Sequence, residues 1–248
     1  MGVNRLSSLF RAVNIIWLAI TLLVFSGLIK LGLWQAERAS EKEVRLSRIE
    51  QLLGLEHQPL ENVLATIKEQ EILNDQPVIL NGQFDPEVLI VLDNQSSDGR
   101  LGYRVFQLFH HQEELPVLVN LGWVSGSRDR SVLPDIEIIK GTHQLKGNIR
   151  YIEPGIVLAE QAYSKNSIPL RVQQVEIEKL GRLFSKQLLP FAVYLDKNEV
   201  VGYKKHWQPV VMPPEKHRGY AFQWFSLAIA WLALMIWAAW KNNNKKAN

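Results

Sequence analysis

The sequence predicts a membrane protein of the α+β class. Two transmembrane helices flank an extracytoplasmic, mainly antiparallel β domain, a sheet or small barrel, with a few helices. Three observations predict it. Ala12–Ile29 and Ala221–Trp240 are uncharged runs of 18 and 20 residues, which as helices span roughly 27 and 30 Å, close to a bilayer's apolar thickness. Both are apolar on every face, unlike an amphipathic surface helix. Between them, short β-branched and aromatic runs alternate with turn-like clusters, without strand–helix–strand repetition.

Averages hide this arrangement. The 248 residues are 47% hydrophobic and 21% charged, with a mean hydropathy of -0.06, as in an ordinary soluble chain. The formal charge is +3. Arg5 and Arg11 in residues 1–11, with Lys241, Lys245 and Lys246 in residues 241–248, supply +5 of it, so residues 12–240 carry −2. Basicity confined to the tails argues against a nucleic-acid partner. By the positive-inside rule it places both tails in the cytoplasm and residues 30–220 on the far side of the membrane. The N-terminus is too short and too directly apolar for an organelle transit peptide, so the expected setting is a bacterial inner membrane with the domain in the periplasm. The first run exceeds a signal-peptide core and no A-x-A follows it, although Val24-Phe25-Ser26 is a passable cleavage pattern. Trp224, Trp231, Trp237 and Trp240 place indole rings near both ends of the second run.

In chain order, Leu31 to about Leu55 reads as a helix continuing out of the membrane, with Glu41 and Arg45 at i,i+4 spacing. Pro59 to about Leu73 reads as a short helix with Leu60, Val63, Leu64 and Ile67 on one face. Strands are expected at Pro77–Phe84, Val88–Asp93, Gly102–Phe109, Pro116–Val124 and Thr142–Ile152, with turns at Asn81-Gly82, Ser96–Gly99 and His110–Glu114. Val175–Leu189 carries Ile177, Leu180, Phe184 and Leu188 on a helical stripe, and Phe191–Leu195 and Trp207–Val211 read as late strands.

The chemistry is sparse. With no cysteine there is no disulfide, thiolate metal site or cysteine nucleophile. G-x-S-x-G, H-E-x-x-H, P-loop and G-x-G-x-x-G patterns are absent. Neighbouring His110 and His111 would point to opposite faces of a strand, a poor metal site, and read as a solvated turn. Three methionines without cysteine make a poor copper(I) site. Two clusters remain, both at the outer membrane boundary. Gly32-Leu33-Trp34-Gln35-Ala36-Glu37-Arg38 follows the first run. In His217-Arg218-Gly219-Tyr220-Ala221-Phe222-Gln223-Trp224, His217, Tyr220 and Trp224 fall at i, i+3 and i+7. A histidine beside aromatic surface suits either the iron of an apolar macrocycle such as haem or an aromatic belt with a snorkelling histidine.

With these residues in place, the chain resembles the surfeit-locus-protein-one (Surf/Shy) family of cytochrome c oxidase assembly factors. The resemblance rests on Leu31-Gly32-Leu33-Trp34-Gln35-x-x-Arg38, Gly82-x-Phe84-Asp85-Pro86, Asp93-Asn94 and Gly102-Tyr103. Val117-Leu118-Val119-Asn120-x-Gly122-Trp123-Val124 and His217-x-x-Tyr220-Ala221-x-x-Trp224 complete it, in the family's order. It implies a non-catalytic factor that assists insertion of haem a into oxidase subunit I, working with the haem a synthesis machinery. His217 would be the haem ligand, Tyr220 and Trp224 its walls, and Arg218 a propionate partner. The alternative is a membrane scaffold that stabilises an oxidase intermediate without touching haem, with Asn120, Gly122 and Trp123 as fold or docking residues. Two departures from the family pattern stand out. Lys216-His217-Arg218-Gly219 replaces Asn-His-Leu before the tyrosine-alanine step, and Leu121 replaces an arginine between Asn120 and Gly122.

Overall fold

The computed structural model of the chain describes residues 3–67, 69–111, 114–129, 132–152, 168–205 and 212–247. It separates into two compact units: residues 1–48 with 209–248, and residues 49–208.

The first unit is helical. Helix α1 runs from Val3 to Leu53 without a break, so the charged stretch after the first apolar run continues the same helix. Within α1 and in residues 214–242, the structure has two helices long and apolar enough to cross a membrane. Their apolar side chains mostly face outward: Leu23 is 74% exposed and Ile229 70%. Such a surface is stable against lipid and costly against water. Residues 30–48 and 212–220, which hydropathy assigns to the domain between the spans, are therefore part of the helical unit.

The second unit is built on a seven-stranded sheet. Its elements are β1 (Gln58–Pro59), α2 (Leu60–Thr66), α3 (Gln70–Leu73), β2 (Pro77–Ser97), β3 (Arg100–His111) and β4 (Val117–Ser125). These are followed by β5 (Thr142–Arg150), β6 (Leu170–Val172), α4 (Ile177–Phe184) and β7 (Ala192–Leu195). Pairings run β2–β3–β4–β7–β5 and return from β5 to β2, a closed ring. The sheet is mixed: β1 and β6 join β2 in parallel and β7 joins β4 in parallel, while the other pairs are antiparallel.

Strand β2 makes the closure possible. Residues Pro77–Gln83 pair with β5, and Gly82–Ser97 pair with β3. The two strands expected at Pro77–Phe84 and Val88–Asp93 are thus one. Asp85-Pro86 marks a bulge between Phe84 and Leu89, after which the ladder resumes in the same direction; a proline is tolerated where the ladder is already interrupted. Asn81-Gly82 is not a turn. Gly82 pairs with both His111 and His143, and a Cβ there would collide with the His110 carbonyl oxygen. Glycine is needed for close strand approach rather than for a turn.

Adjacent positions along the strands face different cores. Val91, Val105, Val119 and Val193 belong to one apolar cluster. Their neighbours Ile90, Phe106, Leu118 and Ala192 belong to a second, with Leu180 of α4, Leu170 and Val172. Burial on both faces gives near-continuous apolar runs rather than alternation. The expected helix from Val175 to Leu189 is shorter. It ends at Phe184 because Ser185 turns left-handed (φ 54°) and the Lys186 amide donates to the Gly181 carbonyl at 2.9 Å, a Schellman closure. The expected helix over Pro59–Leu73 divides into α2 and α3. The strand expected at Trp207–Val211 lies outside the described residues.

His110 and His111 close β3 and are not a solvated turn. As expected for neighbours on a strand, they take different partners. His111 is buried, with Nε2 at 2.8 Å from Glu61 Oε2 and Nδ1 at 2.8 Å from the Asn81 carbonyl. The hydrogen bond from His111 holds the Glu61 carboxyl below its usual value. His110 Nε2 lies 3.0 Å from Asp85 Oδ2, and Lys186 Nζ lies 3.0 Å from the same oxygen. Burial alone would raise the Asp85 carboxyl, but hydrogen bonds from His110, the Glu87 amide and Lys186 outweigh it and leave the group below its ordinary value. Asp85 therefore ties the β2 bulge to the chain leaving α4.

A carboxyl depressed in the folded state contributes stability above its unfolded pKa and loses it as pH falls through the folded one. Asp85→Asn should cost about 1.5–3 kcal/mol at pH 7, the range for hydrogen bonds to charged groups. Its stability should also depend less on pH below about 4, the unfolded carboxyl's ordinary value, from which the wild type loses stability until the lower folded value is passed. Denaturant unfolding of both proteins at pH 7, 5, 4 and 3 checks this; parallel pH profiles would contradict it.

Candidate functional site

The helical unit pairs α1 with α5 (Pro214–Ala247). Contacts from Thr21 to Trp231, Gly32 to Phe225, Gln35 to His217 and Glu43 to Arg218 run in opposite chain directions, so the helices are antiparallel. Small residues set the approach. A Cβ on Gly32 would stand 2.5 Å from the Phe225 ring, and Ala39, Ala221 and Ala228 are buried. Among helices in lipid, where apolar burial offers no drive, close packing and hydrogen bonds supply the association. Trp231 Nε1 donates to the Thr21 carbonyl at 3.3 Å.

One polar contact links the two boundary clusters. His217 Nδ1 lies 2.7 Å from Gln35 Oε1, and both side chains are half-buried. Gln35 lies between Gly32 and Ala39 at i+3 and i−4, and His217 is one turn before Ala221. An amide carbonyl accepts only, so with Oε1 facing the ring the matching tautomer is the one protonated on Nδ1. His217 Nε2 has no hydrogen bond to a described residue. Trp224 continues the seam, half-buried, two turns on. Tyr220 does not share the buried face with them: it is 44% exposed on the flank, because i+3 is turned about 60° from i on a helix.

The other boundary residues face outward. Trp34 and Arg38 are exposed, with the Arg38 guanidinium 6.0 Å from the Trp34 ring and 2.7 Å from Glu41. Arg218 lies 2.5 Å from Glu43 in an exposed pair, worth at most about 1 kcal/mol. Glu43 and Phe225 are partners that no sequence pattern singles out. No group of three His, Cys, Asp or Glu able to hold a bare metal ion occurs among the described residues.

The remaining motif residues lie in the barrel, where they shape two bulges. Asp93 is buried and accepts the Asn94 amide at 2.6 Å, while Asn94 turns left-handed (φ 57°) at the Leu92/Gln95 irregularity. Arg171 Nε donates to Asp93 at 2.8 Å, and the guanidinium lies 5.6 Å from the Tyr103 ring. Trp123 donates to the Gln95 carbonyl at 2.9 Å, and its ring lies 2.7 Å from where a Gly102 Cβ would be. In β4, Val105 pairs with Gly122 and Phe106 with Asn120, which leaves Leu121 as the extra residue. Asn120 Oδ1 accepts the Gly122 amide at 2.9 Å, and Tyr203 donates to the Leu121 carbonyl at 2.7 Å. Leu121 itself is 0% exposed in the core. Arg171, which joins two motifs from 78 residues away, was not legible in the sequence.

Two apolar helices joined through a histidine–glutamine contact, flanking the sequence of a closed barrel whose marked residues stabilise bulges, define a membrane-anchored β-barrel protein. The profile of the SURF1 family matches residues 22–229, most of the chain, and the protein belongs to that family, which serves in cytochrome c oxidase assembly. Family members are assembly factors rather than catalysts. No curated protein matches the sequence.

Gly122 has φ 118°, and a Cβ there would stand 2.8 Å from the Lys204 carbonyl oxygen. Gly122→Ala should therefore lose about 1–3 kcal/mol of stability, read as a lower unfolding midpoint. An unchanged midpoint would show that the bulge is not under this constraint.

Proposed function

We propose that the protein assists insertion of haem a into subunit I of cytochrome c oxidase, holding the haem transiently at the membrane boundary with His217 as the residue that would ligate its iron. The observation that carries this reading is the state of His217: half-buried on an apolar seam, Nδ1 engaged by Gln35, Nε2 unbonded among the described residues. A porphyrin brings four nitrogens of its own and needs one more donor, which suits a lone histidine better than a bare ion does. Bound haem would supply an iron centre that accepts a histidine nitrogen, together with broad apolar surface. Trp224, Tyr220 and Trp34 offer aromatic surface to such a group. Arg218 can exchange its exposed pair with Glu43 for a propionate at little cost.

The rest of the reading follows from charge and hydropathy. Basic tails support cytoplasmic termini in a bacterial inner membrane, with the barrel in the periplasm. Partners are then the lipid bilayer, the haem a synthesis machinery, which releases a membrane-soluble product, and subunit I, which receives it. The barrel offers a docking body, and the helix pair meets the cargo at the bilayer edge.

Full-length protein purified from cells that make haem a should carry the haem's visible absorbance, and His217→Ala should lose most of it. Equal absorbance in both removes His217 from the mechanism. If His217→Ala also retains subunit I in pull-downs and supports full oxidase assembly, the scaffold reading replaces this one.

A further inference from the structure

We propose that Gln35 is the positioning residue of this site: its side-chain carbonyl keeps the His217 proton on Nδ1 and so holds Nε2 open toward iron. The inference rests on the reading of His217 as a haem ligand, but the contact that carries it belongs to the protein without haem. A neutral imidazole has one ring proton and two nitrogens that compete for it. At 2.7 Å from the Gln35 Oε1 acceptor, the proton belongs on Nδ1. Ligating histidines commonly donate their second ring N–H to such an acceptor, which fixes tautomer and ring orientation and raises ligand basicity.

The choice of glutamine follows from its surroundings. A carboxylate would bind the same proton but place a net charge on a seam packed by Gly32, Ala39 and Ala221, where desolvation is costly. An amide supplies the acceptor with no net charge. Gly32 and Ala39 also seat this stretch of α1 against α5, so the carbonyl reaches a ring 182 residues away in sequence. Arg218 and Glu43, one and eight residues from the pair, are bonded to each other and leave Gln35 as the ring's hydrogen-bond partner among the described residues.

The test uses full-length protein in detergent, labelled with 15N-histidine and purified without haem; the His217 signals are those lost in His217→Ala. Wild type should show a protonated Nδ1 and an unprotonated Nε2, and Gln35→Leu should lose this preference. Haem a affinity should fall about 10- to 100-fold in Gln35→Leu. A wild-type ring protonated on Nε2 overturns the proposal without any variant. Unchanged tautomer and affinity in Gln35→Leu overturn it while leaving His217 as ligand. Undiminished haem in His217→Ala overturns the underlying reading, and this proposal with it.

Discussion

The hydrogen bond between His217 and Gln35 joins the two helices at the candidate site. Two apolar helices in lipid have little reason to choose one register over another, since sliding exchanges one greasy contact for the next. A polar pair on the seam removes that freedom, because a half-buried imidazole or amide without its partner is costly. Gly32 and the buried alanines permit the approach, and the hydrogen bond selects the level at which it occurs. The same contact orients the ring.

In the barrel the equivalent constraint is β2. One strand of 21 residues serves β1, β3, β5 and β6, which requires it to bend without losing its backbone partners. Bulges at Asp85–Val88 and near Asn94 accomplish this. The residues that family resemblance marks in this unit sit at these bulges and at the one in β4. Asp85 gathers His110 and Lys186, Asp93 takes Arg171, and Asn120 holds the Gly122 amide. They are architectural by contact, whereas His217 Nε2 has no hydrogen bond to a described residue.

Much of this was legible, for identifiable reasons. Long uncharged runs need no tertiary context to be recognised as helices, and most strand segments between Pro77 and Arg150 emerged from residue type and turn punctuation. The errors fell where a local signal had a nonlocal cause. Gly82 looked like a turn because glycine marks turns, yet two strands crowd it. Leu188 fitted a helical stripe that Ser185 had already ended. His110 and His111 looked solvated because their acceptors, Asp85 and Glu61, lie 25 and 50 residues away. At the site, spacing placed Tyr220 beside His217, whereas the seam follows Ala221 and Trp224.

By itself the sequence determined the two apolar spans, the barrel-like β composition between them, the absence of sulfur chemistry and the histidine worth examining. Each is a property of residue type and short-range spacing. Only the tertiary structure decided that the strands close through β2, that Leu121 is a core side chain, and that Gln35 is the partner of His217. These depend on which surfaces meet, and strand register, bulges and helix level are set by packing between segments up to 182 residues apart.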